Sequence, residues 1–442
     1  MDELEVFVKK LKRICDEPNK FDVLKARAVI KEMNEFLYTN YPSIGTVTAL
    51  GSDWNYFSEF HRYWHIHHKE ILNLRVDDTV CAKVADILHE VFIRTDGKVF
   101  SSVYDTDGLT KEQICRVRLL TANQDFRGSR NFLELARLYR SDPSRFDVRR
   151  ICDDPEDFIK LLGINRLSQN DKRVQYAQNI TRFLLAHNAE PFEIIDKFNR
   201  DVTEFRSALI EANSGFGNKK TDMFIRDMVL LNVWDNVINF DQINVASDIN
   251  TIKVALRTGI LKSEIPLVSS FLDIFDCQYS YVDDMNVKAW RRVWEIWNEK
   301  YNDNLASPCL LDYFVYNVVG KQFCKTILYV FRCNTHAHEF KWHSARNRTC
   351  QICAPKKEYC NAVCIGKLLP CCDEEGSIAI QNTDFYKLGL AKPNYTVCPF
   401  KVICSEYGKQ KLQPPKSISI MGATGWTSAY TDKDAGGGGL MA

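Results

Sequence analysis

The sequence predicts a mainly α fold, and three observations carry that expectation. Apolar residues recur at three- and four-residue spacing over 6–14, 23–37, 80–92, 132–139, 174–186 and 192–198, the period that lines one face of a helix. Turn-forming groups separate these stretches at 40–42, 95–97, 142–143, 153–155 and 188–191, where Asn, Asp, Gly and Pro break the pattern. Long apolar–polar alternation, the mark of strands, is scarce before residue 330.

The first helix begins at once, because MDELEVFVKKLKRICDE reads as a charged amphipathic start and not as a signal peptide, which needs an unbroken apolar run. No apolar stretch approaches the roughly 20 residues of a membrane helix, so the expectation is an intracellular protein. The chain has 442 residues and 45% hydrophobic content, enough for two packed units. The region 1–105 reads as an N-terminal helical extension. Within it, Trp54, Tyr56, Phe57, Phe60, Tyr63 and Trp64 either pack in a core or line a pocket, and His61, His65 and His68 share one helical face.

The helical core is expected over 106–330. Formal net charge is only +1, so whole-chain electrostatics carry no argument for nucleic acid. Locally, Arg116, Arg118, Arg127, Arg130, Arg137, Arg140, Arg145, Arg149 and Arg150 crowd one stretch. That pattern suits either phosphate contact or a solvated helix surface.

Over 203–231 the segment TEFRSALIEANSGFGNKKTDMFIRDMVLL reads as two helices joined by a tight turn. Phe205, Leu209 and Ile210 form the apolar side of the first; Met223, Phe224, Met228 and Leu231 form that of the second, with Asn218 as its N-cap. Gly215 and Gly217 permit positive φ and leave backbone amides uncovered, while Phe216 plugs the turn into the core. Such amides at a helix start make an anion site suited to a DNA phosphate. Lys219 and Lys220 open the second helix. A further helix is expected over 241–261, with Asp241 at its head and Ile243, Val245, Ile252 and Leu256 on its apolar face.

In this order, Gly215-Phe216-Gly217-Asn218-Lys219, then Phe240-Asp241-Gln242-Ile243-Asn244-Val245, then Leu256-Arg257-Thr258-Gly259-Ile260-Leu261, the chain resembles the helix–hairpin–helix (HhH-GPD) superfamily of DNA glycosylases. Asn213-Ser214 stands where relatives carry Leu-Pro, and Phe240 where they carry Val. The likeness spans about residues 110–330 and includes CRVRLLTANQDFRGSRNFLELARLY, similar to the family's first core helix. It implies a two-lobed helical fold and a bifunctional enzyme of the endonuclease-III and 8-oxoguanine-glycosylase kind, acting on double-stranded DNA as a monomer.

The expected roles follow from the chemistry of base removal. The base must be flipped out of the stack, and breaking its bond to the sugar builds positive charge that a carboxylate stabilises. The resemblance gives that role to Asp241, with Asp235 as the alternative. It gives Lys219 the nucleophile's place, where an amine forms a Schiff base and permits strand cleavage by β-elimination. Gly215, Gly217, Asn218, Lys220, Asn123, Gln124 and Arg127 are the expected DNA contacts. The substrate is a damaged or modified base. A non-catalytic DNA-binding hairpin protein is the competing reading, and a zinc-dependent RNA-binding or modification factor the weaker one.

Cysteine use shifts the chemistry after residue 330. The chain has 16 cysteines, crowded between 309 and 404, and without a secretory signal close spacing points to metal ligands. Cys333-x2-His336 and Cys350-x2-Cys353, separated by thirteen residues, have the spacing of a zinc ribbon. Cys360, Cys364, Cys371 and Cys372 form a second candidate group, to which Cys398 and Cys404 can contribute. The resemblance offers a 4Fe–4S cluster as the alternative to Zn²⁺, through His343, Cys350, Cys353 and Cys360. A small metal-binding module over 331–410 is therefore expected, followed by a disordered tail over 411–442 containing the run of glycines at 436–439.

Overall fold

Helices form where apolar periodicity runs, and at several of them a capping side chain marks the start. A computed structural model of the protein describes residues 2–15, 45–49, 52–56, 62–101, 103–124, 131–163, 170–266, 280–324, 328–337, 339–342, 353–356, 361–370, 398–405 and 410–413, with the isolated positions 28, 32 and 36. The chain is mainly helical. It opens with α1 (Glu3–Cys15), an antiparallel pair β1 (Gly45–Ala49) and β2 (Ser52–Tyr56), α2 (Arg62–Leu72), β3 (Arg75–Val76) and α3 (Asp78–Thr95). Then come α4 (Lys111–Thr121), α5 (Phe132–Ser141), α6 (Val148–Asp153), α7 (Pro155–Leu161), α8 (Asn170–Ala186), α9 (Val202–Glu211) and α10 (Asn218–Leu230). The helical part closes with α11 (Ile249–Thr258), β4 (Leu261–Lys262), α12 (Ser280–Lys300) and α13 (Leu310–Tyr313), which runs on as π-helical turns over Phe314–Phe323.

Asp or Thr is the N-cap of six of these helices. Asp77, Asp147, Asp154 and Asp201 each accept from an amide of the first turn, and Thr110 with Gln113 closes a capping box on α4. Each such cap satisfies an otherwise orphaned amide and is worth about 1 kcal/mol. The expected stretch at 192–198 forms a 3-10 helix, Glu193–Phe198, and most of 23–37 lies outside the described residues.

Two hydrophobic cores divide the helices, and they do not divide the chain at residue 105. One holds Leu11, Val84, Leu88, Ile252, Trp290, Trp297 and Phe314, so α1 to α3 share it with α11 to α13. The other holds Leu120, Ile180, Phe205, Phe224 and Trp234, and is built from 109–243 with Cys309 added. The described helices α1 to α3, expected as an N-terminal extension, thus pack into one core, and one lobe, with α11 to α13. Strands β3 and β4 seal that lobe, pairing Arg75 with Lys262 and Val76 with Leu261.

The chain crosses between lobes at 243–248, in extended backbone. Ile243 is buried in the second core and Val245 in the first. The chain passes from one core to the other between them, and α11 starts only at Ile249, so the first apolar residues expected on a helix from 241 belong to a linker.

Beyond residue 327 the expected irregular module is an antiparallel four-stranded sheet of order β6-β5-β7-β8. Its strands are β5 (Leu328–Cys333), β6 (Glu339–Trp342), β7 (Ala362–Pro370) and β8 (Gln410–Gln413), with the short α14 (Cys353–Lys356) between β6 and β7. Strand β8 pairs with β7 from Lys367 to Pro370, so residues 411–413 belong to the sheet and not to a tail. Before that, Cys398 and Phe400 return to the first core, and Ser405 N donates to Arg257 O at 2.8 Å. Residues 414–442, the rest of the expected tail, lie outside the described residues. Among the described residues no helix is long and apolar enough to cross a membrane.

Candidate active site and metal centre

The hairpin between α9 and α10 needs its two glycines for different reasons. Gly215 has φ +84°, and a Cβ there would lie 2.6 Å from the Tyr176 ring, so both conformation and packing exclude a side chain. Gly217 has φ −103° and ψ −176°, and a Cβ there would meet nothing within 4 Å. Its contribution is openness. Gly217, and not Asn218, is the N-cap of α10; it has no side chain to cap the helix, and Gly217 to Lys219 are exposed. Phe216 is buried as expected, edge-on to Phe224 with ring centroids 6.0 Å apart.

Lys219 stands on the first turn of α10 with 49% of its side chain exposed, and its Nζ is 3.9 Å from Asp248 Oδ2, a side chain only 8% exposed. Asp248 is the N-cap of α11. Its Oδ1 accepts from the amides of Asn250 and Thr251, each at 2.9 Å, and its Oδ2 accepts from Asn250 Nδ2 at 3.0 Å. Its own amide donates to Thr251 Oγ1 at 2.9 Å, completing a capping box. Behind it, Ser247 Oγ donates to Asp283 Oδ1 at 2.7 Å, and Asn286 Nδ2 donates to Ser247 Oγ and Thr251 Oγ1 at 2.9 and 3.1 Å. Burial pushes the Asp283 carboxyl up, against the Ser247 hydrogen bond and the Lys219 charge. Gly320 of the π-helical turns lies so close to α11 that a Cβ would be 2.7 Å from Asn250 Cβ.

Asp241 does not join this group. It is exposed on a 3-10 turn, Phe240–Gln242, and accepts from Gln242 Nε2 at 2.6 Å, while Arg291 donates to its carbonyl. Asp235 pairs with Arg200 at 2.8 Å on the surface. The missed signal was Ser247-Asp248-Ile249-Asn250-Thr251, an aspartate followed three residues later by a hydroxyl side chain, which marks a capped helix start.

Lys219 and Asp248 lie at a cleft of about 300 Å³ between the two lobes, also lined by Tyr104, Arg226, Asp312 and Tyr316. A buried chain of charges forms its wall. Arg118 Nε donates to Asp227 Oδ2 at 3.2 Å, Arg226 Nη2 donates to Asp227 Oδ1 at 2.7 Å, and Arg226 Nη1 donates to Asp312 Oδ2. Burial pushes the Asp312 carboxyl up to about 7, opposed by Arg226 and reinforced by Asp248. Its two acidic partners hold Arg226 protonated above its ordinary range despite burial. The Tyr104 phenol is raised well above its usual value, first by burial and then by Asp227.

Among the other expected contacts, Lys220 lines the cleft and its Nζ donates to Asn123 O at 3.0 Å. Asn123 and Gln124 are 0% and 2% exposed and donate to main-chain oxygens of Tyr176 and Arg173. They brace α4 against α8 and do not face outward, so in this conformation their side chains cannot meet DNA. Arg127 lies outside the described residues. Arg116, Arg118, Arg140, Arg145 and Arg150 are each paired with a carboxylate, which favours the reading of that stretch as a structural surface.

At the sheet, Cys333 Sγ, His336 Nδ1 and Cys353 Sγ lie within 4.8 Å of one another and can hold a metal ion. Both cysteines are fully buried. Strand β5 delivers Cys333, the turn after it His336, and α14 Cys353. Cys350, Cys360, Cys371, Cys372 and His343 lie outside the described residues, and Cys364 is described only as part of β7. His68 packs edge-on to Tyr281 at 5.9 Å and is 8% exposed. His61 lies outside the described residues.

No protein-family model matches the chain, and no match to a curated protein is found.

Proposed function

We propose that the protein is a DNA N-glycosylase with an associated β-elimination lyase activity, using Lys219 and Asp248. The observation that supports this most is the meeting of a half-exposed amine, 3.9 Å from a nearly buried carboxylate, at the mouth of a cleft beside an uncapped hairpin helix. Asp248 takes the place first given to Asp241. The uncapped amides of Gly217 and Asn218 grip a backbone phosphate, and the nucleotide turns into the cleft.

Asp248, fixed by three hydrogen bonds, stabilises the positive charge that develops on the sugar. Lys219 attacks C1′ as the bond from C1′ to the base breaks. The bonding pair leaves with the base, which takes the proton released by the amine through Asp248. Ring opening, with O4′ protonated by water, gives a protonated imine; loss of a C2′ proton then expels the 3′ phosphate.

The metal group is proposed to hold structural Zn²⁺. A tetrahedral ion with thiolates at about 2.3 Å and imidazole nitrogen at about 2.0 Å places S and S about 3.8 Å apart and S and N about 3.5 Å apart. Here Cys333 and Cys353 are 4.0 Å apart, and His336 is 3.5 and 3.4 Å from them. Cys350 is the fourth ligand that the spacing assigns. The ion supplies a cross-link for the sheet and no step of the reaction.

Borohydride trapping on duplexes carrying an abasic site or oxidised, alkylated, deaminated and hypermodified bases tests the proposal. A covalent adduct that disappears in Lys219→Gln is expected. Duplex binding without base release or adduct on any substrate would instead support a non-catalytic DNA-binding protein.

A further inference from the structure

The wall of the cleft carries an open acceptor. Both carboxylate oxygens of Asp227 are taken, one by Arg118 and one by Arg226, and the Arg226 guanidinium is spent on Asp227 and Asp312. Asp312 is 4% exposed and lines the cleft. Its Oδ2 is held by Arg226, whereas its Oδ1 accepts no hydrogen bond from the described residues. The cations of the inner wall are compensated, and the group left to be satisfied by an occupant is a carboxylate oxygen, which accepts up to two donors.

A base that enters must cover this oxygen with N–H groups or leave a buried acceptor unsatisfied, a penalty that discriminates between bases. Adenine and cytosine put an amino group beside a ring-nitrogen acceptor, and uracil flanks its N–H with two carbonyls. Among the Watson–Crick edges of the unmodified bases, only that of guanine sets a ring N–H beside an amino group. Tyr104, Tyr313 and Tyr316 along the same cleft offer aromatic surface to a bicyclic ring.

We propose that Asp312 is the specificity-determining residue of the cleft and selects a purine whose edge presents N1–H beside a 2-amino group. This rests on the glycosylase reading.

The test compares release of 8-oxoguanine and of 8-oxohypoxanthine, the same base without its 2-amino group, from otherwise identical duplexes, with borohydride trapping of an abasic duplex in parallel. The wild-type protein is expected to favour the 2-amino base by roughly 10- to 100-fold, the range for a hydrogen bond to a charged group. Asp312→Asn, which turns part of the acceptor into a donor, is expected to collapse that ratio, and Asp312→Glu to keep it. Equal release of the two bases by the wild-type protein overturns the proposal without reference to any variant. So does trapping of the abasic duplex with release of neither purine, which leaves the glycosylase reading standing. Failure to trap the abasic duplex overturns that reading itself.

Discussion

Lys219 Nζ stands 3.9 Å from Asp248 Oδ2, the amine half in solvent and the carboxylate almost covered. Asp248 does two jobs at once, since its Oδ1 caps α11 through the Asn250 and Thr251 amides while its Oδ2 stands beside the Lys219 amine. The jobs are separable. Asparagine caps a helix about as well as aspartate, so Asp248→Asn is expected to unfold within about 0.5 kcal/mol of wild type while base release falls by roughly 100- to 1000-fold. Asp248→Ala loses the cap as well and is expected to be less stable by about 1 kcal/mol. Asp241→Asn should change neither. Denaturant melts and single-turnover release on the three variants decide it; loss of release in Asp241→Asn with activity kept in Asp248→Asn would return the catalytic role to Asp241.

The two hairpin glycines should respond oppositely to alanine. At Gly215 the left-handed backbone and the Tyr176 ring 2.6 Å from a Cβ make Gly215→Ala destabilising by more than about 1 kcal/mol. At Gly217 the surroundings are open, so Gly217→Ala should fold normally and weaken duplex binding by placing a methyl among the uncapped amides. Thermal melts and a binding titration at fixed salt measure both. A stable Gly215→Ala protein would show that the turn can relax around the ring.

Much of this was legible in the sequence, and the lapses have physical causes. The hairpin was readable because glycines flanking an apolar residue have few other uses, and Cys333, His336 and Cys353 because short chelating spacings are rare by chance. The start of the helix expected over 241–261 was misplaced because Ile243 and Val245 look like a helix face when they belong to a linker feeding two cores. Asn123 and Gln124 read as polar loop ends, yet they are buried against main-chain carbonyls. Partners distant in sequence cannot be seen from local pattern. The same limit hid Asp312, whose ion pair reaches back to Arg226 across 86 positions, and hid the sharing of one core by the first and last helices.

Metal removal should act on the sheet and spare the helices. Cys333 and Cys353 are buried side by side with His336, and stripping an ion from such a group removes the cross-link that would tie the β5 turn to α14. A metal analysis is expected to find zinc, and Cys333→Ser or Cys353→Ser to lower the zinc content. Chelation should open the region after residue 327 to protease while the lobes stay resistant. A brown protein with iron and acid-labile sulfide would replace zinc by a cluster.

Stability should fall as pH rises from about 4 to about 7. Burial holds the Asp222 and Asp312 carboxyls up, to about 6 and about 7, whereas in the unfolded chain aspartates ionise near 4. Across that window the folded protein binds more protons than the unfolded chain, so raising the pH favours unfolding, and the loss is complete once pH passes the folded values. Asp77, Asp157 and Asp201, which hydrogen bonds hold below the ordinary range, act in the opposite sense but only below about 4. The upper end of the slope belongs to Asp312. Asparagine there keeps the shape and cannot ionise, so the Tm of Asp312→Asn relative to wild type should rise by a few degrees between pH 5 and pH 8. Losing the Arg226 ion pair adds an offset to the variant, which is why the change with pH, and not the Tm at one pH, is the quantity to read. A difference that stays flat or shrinks with pH would mean that Arg226 keeps Asp312 ionised throughout.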